Sequence, residues 1–352
     1  MDSRYIRQTL LKEIGPLGQE KLLRSRIAIV GCGGLGSIVA PYLAGAGVGN
    51  LCLIDGDLPH VSNLHRQVFF PSQSSDTKAE LLANHIHRLN PDVKVRVVNE
   101  MLKKENIQDT INKVDLVIEC TDDMMCKYLV NDYCHLNQIP LVYGAIYKFE
   151  GYVSLFENKD TSSIHLRDAF PKPDTSIPTC SEVGVLGTIA GIIGLFQANE
   201  ALKYIVGLET LSNTLLTYDC LGNTQFKLRL KKTFSSDMHA LFEQEDYLAV
   251  SCETVPEISL ETLLKERTDY ELVSILEDIE HEDIDNTTFH SPLSVFPKEE
   301  WLQSYQDHPR KVVFYCQSGK RSTQLVSQLL DMDSNLKIYS LNGGLRRFKD
   351  AH

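Results

Sequence analysis

The stretch from Arg26 to Asp55 constrains this chain more than any other. A short β-branched run, Arg26–Val30, ends in Gly31-Cys32-Gly33-Gly34-Leu35-Gly36. An Ala- and Leu-rich helical stretch follows to about Ala46, and a second apolar run, Leu51–Ile54, stops at Asp55. Strand, glycine turn, helix and strand form a βαβ unit, which requires a parallel sheet. Further strand-like runs at Val93–Val98, Val114–Cys120 and Ile139–Tyr143 alternate with helical patterns. The fold class is therefore α/β, with a mostly parallel sheet covered on both faces. Gly151–Phe156, Thr214–Asp219 and Gln225–Leu230 alternate polar with apolar residues and predict antiparallel additions.

The pattern breaks after Leu230. Periodicity is weak over 231–254, which reads as a linker, and Pro256 then precedes a fresh helical pattern at Ser259–Lys265. A strand at Lys311–Tyr315 and a helix at Arg321–Leu330 predict a second, smaller α/β domain over 255–352, behind a first domain over 1–230. Seven acids without a Lys or Arg between Glu271 and Asp285 read as a solvated face. A net charge of −12 argues against nucleic acid as a partner and permits small nucleotides. Nine cysteines, an odd count with no C-x-x-C pair and no secretory signal, read as free thiols in a reducing cytoplasm. Val183–Val206 is interrupted by Gln197, Asn199, Glu200 and Lys203, so it predicts a buried helix and no membrane span.

The glycine turn is the first chemical signal. Gly31 permits the tight turn, Gly33 lets backbone approach a phosphate, and Gly36 allows the helix to pack closely on the strand. The helix N-terminus offers free N–H groups to an anion. Asp55, 19 residues after Gly36 and at the end of the next strand, is placed to bond ribose hydroxyls. These features alone say adenine nucleotide, and NAD or FAD would be the usual occupant. Arg66 and Lys78 add cations suited to a triphosphate. Cys120-Thr121-Asp122-Asp123 closes the fourth strand where ligands bind in open α/β sheets, and a carboxylate there can hold Mg²⁺ against phosphates.

Five separated motifs now stand in a specific order: Arg4-Tyr5-x-Arg7-Gln8, Gly31-x-Gly33-Gly34-Leu35-Gly36, Asp55-x-Asp57 through Asn63 to Arg66-Gln67, Lys78, and Thr121-Asp122. In these the chain, from about Arg4 to Leu230, resembles the MoeB/ThiF family, relatives of the ubiquitin-activating enzymes with a Rossmann-like sheet. The resemblance implies an ATP site in which Asp55 binds ribose, Asn63, Arg66 and Lys78 contact the phosphates, and Asp122 binds Mg²⁺. It also implies that Arg7 reaches the γ-phosphate of a neighbouring subunit's ATP, hence a homodimer. The implied reaction is attack by a peptide C-terminal carboxylate on the α-phosphate, which needs alignment and charge neutralisation but no general base.

Two cysteines extend the reading. The segment Thr179-Cys180-Ser181-Glu182-Val183-Gly184-Val185 is similar to the family's loop in which a thiol meets the activated carboxylate. Most of the family holds a structural zinc with two C-x-x-C pairs. Here those places read Ile164-His165-Leu166-Arg167 and Ser235-Ser236-Asp237-Met238, so no zinc is expected. The second domain carries Cys316-Gln317-Ser318-Gly319-Lys320-Arg321-Ser322 between a strand and a helix. The N–H groups of such a loop favour a thiolate and can cradle a persulfide. Cys-dependent phosphatases and arsenate reductases use similar loops. Cys316-x-x-Gly319-x-Arg321, with Leu341-Asn342-Gly343-Gly344-Leu345 as a closing glycine turn, resembles the rhodanese-like sulfurtransferases. The usual Asp-Val-Arg strand end is replaced by Ser274-Ile275-Leu276-Glu277.

Together the resemblances imply a sequence of steps. ATP adenylates the C-terminal glycine of a ubiquitin-like sulfur carrier ending in Gly-Gly. A Cys316 persulfide, loaded by a donor such as a cysteine desulfurase, attacks the acyl-adenylate, and Cys180 supplies the thiol for release. A loose 231–254 segment would let the domains move. The rival readings are a nucleotide-dependent oxidoreductase, opposed by Arg66, Lys78 and Asp122, and a carrier-docking module without chemistry, opposed by the intact nucleotide motif.

Overall fold

The computed structural model describes residues 3–173, 184–247, 255–278, 289–305, 311–333 and 335–345. The chain divides into two units, Met1–Ala249 and Val250–His352. In the first, β1 (Arg26–Val30), β2 (Asn50–Ile54), β3 (Lys94–Val98), β4 (Leu116–Glu119) and β5 (Leu141–Tyr147) are parallel. Antiparallel β6 (Glu150–Phe156), β7 (Thr214–Asp219) and β8 (Thr224–Arg229) extend the sheet to the order β3-β2-β1-β4-β5-β6-β7-β8. The chain reverses direction of winding between β1 and β4, which opens a crevice at their carboxyl ends.

Successive strand residues serve opposite faces. Ile27 and Ile29 join one core with Ala40, Leu43, Ile189 and Ile193 from the Gly36–Ala46 and Gly187–Val206 helices. Ala28 and Val30 join the other with Leu129 and Tyr133 of the Met124–Leu136 helix. The apolar run expected as a buried helix is the Gly187–Val206 helix, and no helix among the described residues is long and apolar enough to cross a membrane.

Residues 231–247, where weak periodicity suggests a linker, are fastened to the first unit. The Asp168 carboxylate accepts the N–H groups of Thr233 and Phe234, each at 2.7 Å. A short Met238–Gln244 helix follows, and Lys104 donates to the Glu243 and Glu245 carbonyls at 2.9 Å. Tyr247 then donates to Asp132 at 2.5 Å, and Asp132 also holds the buried Arg167 guanidinium at 2.6 Å. The tie is polar and bridges residues far apart in sequence, so hydrophobic spacing gives no sign of it. It joins the two places that would carry the zinc cysteines, His165 capping one side and Asp168 gripping the other. Among the described residues no group of three or more His, Cys, Asp or Glu is arranged around a metal.

The second unit is a fully parallel sheet ordered β11-β10-β12-β13-β9, from β9 (Glu257–Ile258), β10 (Tyr270–Ser274), β11 (Phe289–His290), β12 (Lys311–Tyr315) and β13 (Ile338–Leu341). Its core packs Leu272, Val313, Phe314, Leu325 and Leu329. Ser274, standing at the altered strand end, is fully buried, and among the described residues its hydroxyl has no hydrogen-bond partner.

Candidate nucleotide and sulfur sites

The crevice at the strand ends holds a cavity of about 290 Å³. Its wall brings together Gly31, Gly33, Gly34, Asp55, Asp57, Asn63, Arg66, Gln67 and Asp122, all singled out from the sequence. The glycines do what their spacing requires. Gly31 has φ +90°, and a Cβ there would sit 2.9 Å from the Cys120 carbonyl. Gly36 lies behind the wall: a Cβ on it would meet the Gly31 carbonyl oxygen at 1.9 Å, so only glycine lets the helix start so close to the strand.

Asp55 is buried, and its two oxygens accept the Cys32 and Asp57 N–H groups at 2.8 and 2.9 Å. Burial pushes its carboxyl up from the ordinary value, against the pull of Lys78 and these two donors. Lys78 is off the wall: its ammonium is buried and pairs with Asp57 at 2.9 Å, at the start of a helix capped by Thr77 and Glu80. Arg7 is exposed on the Ile6–Thr9 helix and does not line the cavity.

Several wall groups are unspent. Gln67 is buried beside Gly33, and among the described residues its Oε1 has no hydrogen-bond partner. Among the described residues, the exposed Asp122 carboxylate has no partner in the protein, and Arg66 meets only the His65 ring, at 3.5 Å. A cation, a carboxylate and an amide on the wall of one cavity beside a glycine turn suit a polyphosphate and its Mg²⁺, which keeps several waters and needs one or two carboxylates. The wall also includes Glu100–Lys103 after β3, Cys126, and Tyr247 from the segment read as linker. Pattern reading passed over these because they belong to no motif.

Cys180 lies outside the described residues. In the second unit, Cys316 follows β12 and is fully buried, and Arg321 is buried in the first turn of the Lys320–Met332 helix. The helix is entered through Gly319 at φ +86°. The Ser322 hydroxyl lies 3.7 Å from the Cys316 sulfur and donates to the Gly319 carbonyl at 2.9 Å. The closing glycine turn lies against this loop. Leu345 N–H donates to the Cys316 carbonyl at 3.0 Å, and a Cβ on Gly344 would come within 2.2 Å of that oxygen.

Comparison with known proteins bears on both units. The ThiF family model matches residues 5–239, and the rhodanese-like domain model matches residues 273–351. The chain is 41% identical over 223 residues to the SAMP-activating enzyme E1 of Haloferax volcanii, covering 63% of this chain and 82% of that one. It is 31% identical over 343 residues to the probable adenylyltransferase/sulfurtransferase MoeZ of Mycobacterium tuberculosis, covering 92% and 87%. Among solved structures, E. coli MccB with ATP aligns at a TM-score of 0.59 and 20% identity, over 68% of this chain and 74% of that one. At that identity the likeness speaks for the fold alone.

Proposed function

This chain belongs to the ThiF family and continues into a rhodanese-like domain, an adenylyltransferase joined to a sulfurtransferase, and on that premise we propose how it makes a thiocarboxylate. The observation that carries the reading is the convergence of Gly33, Asn63, Arg66 and Asp122 on one cavity wall, with Arg66 and Asp122 free of each other. ATP lies along the Gly31–Gly36 turn, its ribose at Asp55 and its phosphates at Asn63 and Arg66. Mg²⁺ held by Asp122 would supply charge neutralisation at the phosphates. Lys78, locked to Asp57, sets the β2 turn and lends positive potential from behind the wall.

The substrate is a ubiquitin-like sulfur carrier ending in Gly-Gly. Its terminal carboxylate oxygen bonds to the α-phosphorus as the bond to pyrophosphate breaks, giving an acyl-adenylate. The outer sulfur of a Cys316 persulfide, charged by a donor such as a cysteine desulfurase, then attacks the acyl carbon and AMP leaves. A thiolate, assigned to Cys180, attacks the Cys316 sulfur and releases the thiocarboxylate; the resulting disulfide is reduced by an external dithiol. Arg7 completes the site of a second copy in a homodimer.

The experiment is ATP–pyrophosphate exchange with purified protein and a Gly-Gly carrier, with Asp122→Ala beside it. The reading expects exchange that requires the carrier and disappears in the variant. Measurable ATP binding without exchange for any carrier would leave a docking module.

A further inference from the structure

Behind the nucleotide cavity lies a buried ion pair that the reaction scheme leaves unused. Glu119 ends β4, is fully buried, and follows three apolar residues of that strand. Lys127, on the Met124–Leu136 helix, reaches back to it. Its Nζ lies 2.5 Å from Glu119 Oε2, 2.7 Å from the Thr121 carbonyl and 2.8 Å from the Gly144 carbonyl. An ammonium has three N–H bonds, so Lys127 has none left for a phosphate. The other Glu119 oxygen accepts both the N–H of Thr121, at 2.7 Å, and its hydroxyl.

The same turn is held from two further directions. Gln197 of the Gly187–Val206 helix donates to the Glu119 carbonyl at 2.6 Å. That amide fits only because position 144 is glycine: a Cβ there would lie 2.4 Å from it. Asp123 caps the next helix by accepting the Cys126 N–H at 2.9 Å. Residues on both sides of Asp122 are therefore fixed, while its own carboxylate stands unpartnered among the described residues on the cavity wall.

A buried ion pair is a poor stabiliser. Exchanging both partners for apolar residues of similar volume often leaves stability unchanged, whereas removing one strands a charge. Here the pair does something apolar residues cannot, since it grips the carbonyl, N–H and hydroxyl of Thr121 at once. We propose that Glu119 and Lys127 are positioning residues for adenylation, holding the Thr121-Asp122 turn so that the Asp122 carboxylate meets the phosphates. The inference rests on the role proposed above for Asp122.

The test uses the full chain with carrier and ATP, and measures pyrophosphate exchange, ATP affinity by calorimetry, and thermal unfolding. The variants are Lys127→Arg, the double replacement Glu119→Leu with Lys127→Met, and Asp122→Ala. The double variant is expected to fold with a lowered melting temperature, since Thr121 and Gly144 lose buried partners, and to bind ATP within about threefold, because none of its lost groups touches the nucleotide. Its kcat is expected to fall on the order of 100-fold, the usual cost of displacing a reacting group by about 1 Å. Lys127→Arg, which keeps the donors and the charge, should recover most of that rate.

A double variant that folds and works at the wild-type rate would reduce the pair to packing. One that collapses while Lys127→Arg is fully active would make it a folding element, and a loss seen equally in ATP affinity would make it a binding contact. Each of these overturns the proposal. If Asp122→Ala instead keeps the full rate, or wild type shows no carrier-dependent exchange, the reading of Asp122 fails and takes the proposal with it.

Discussion

The clamp around residues 231–247 makes this protein sensitive to mild acid, through His165. Its ring is fully buried, 4.3 Å from the His135 ring and 5.4 Å from that of Phe234. Nδ1 accepts the Arg167 N–H at 3.3 Å, and among the described residues Nε2 makes no hydrogen bond, the nearest carboxylate oxygen, on Asp168, lying 3.7 Å away, so burial favours the neutral ring. Burial first, then the neighbouring His135 and Lys232, push its pKa down to about 3, with Asp168 opposing. In the unfolded chain a histidine titrates at about 6.5. Below that pH the unfolded state gains a proton that the folded state refuses, so stability is fully present above about 6.5 and lost as pH falls towards about 3. Between pH 7 and 5 the loss from this one ring is about 2 kcal/mol, at about 1.4 kcal/mol per pH unit below 6.5. His135, also pushed down by burial, adds in the same direction.

The assay is urea unfolding at pH 7 and pH 5 for wild type and His165→Asn, with the His165 ring proton followed by NMR. The single tryptophan, Trp301, lies in the second unit, so its fluorescence tracks that unit, and circular dichroism, which reports both units, gives the first by comparison. Comparing pH slopes cancels the variant's own destabilisation and the carboxylates common to both proteins. A flatter slope for His165→Asn is expected. Identical slopes, or a His165 ring titrating near its ordinary value, would refute the argument.

Two further substitutions follow from close approaches. Gly36→Ala drives a Cβ to within 1.9 Å of the Gly31 carbonyl oxygen and should cost about 3 kcal/mol or more, with ATP binding lost in calorimetry. Ser322→Ala removes the hydroxyl 3.7 Å from the Cys316 sulfur. Losing its bond to the Gly319 carbonyl, worth about 1 kcal/mol, should loosen the Cys316 loop and slow sulfur transfer about fivefold while leaving pyrophosphate exchange untouched, as parallel assays of the two steps would show.

The glycine turn was legible because each position is dictated by a local clash: Gly31 by its φ of +90° and Gly36 by the Gly31 carbonyl. Strand polarity was legible for a related reason, since a period of two and the position of each run decide which face it serves. Contacts between distant polar residues were not. Lys78 reads as a phosphate contact from its charge, and its pairing with Asp57 across 21 residues had no sign in the sequence. Asp168 finds Thr233 and Phe234 across 65 and 66 residues, with no motif to announce them. Glu119 did leave a trace, as a charge at the end of an apolar strand, which can be buried only if something such as Lys127 answers it.

One chain joins the domain that activates a carrier to the domain that sulfurates it. The most direct measurement is the intact mass of a Gly-Gly carrier after incubation with the protein, ATP, Mg²⁺ and a sulfane sulfur donor, comparing wild type with Cys316→Ser. Wild type is predicted to replace one carboxylate oxygen by sulfur, and Cys316→Ser to leave the carrier unsulfurated although pyrophosphate exchange continues. A carrier sulfurated equally by both proteins would contradict it.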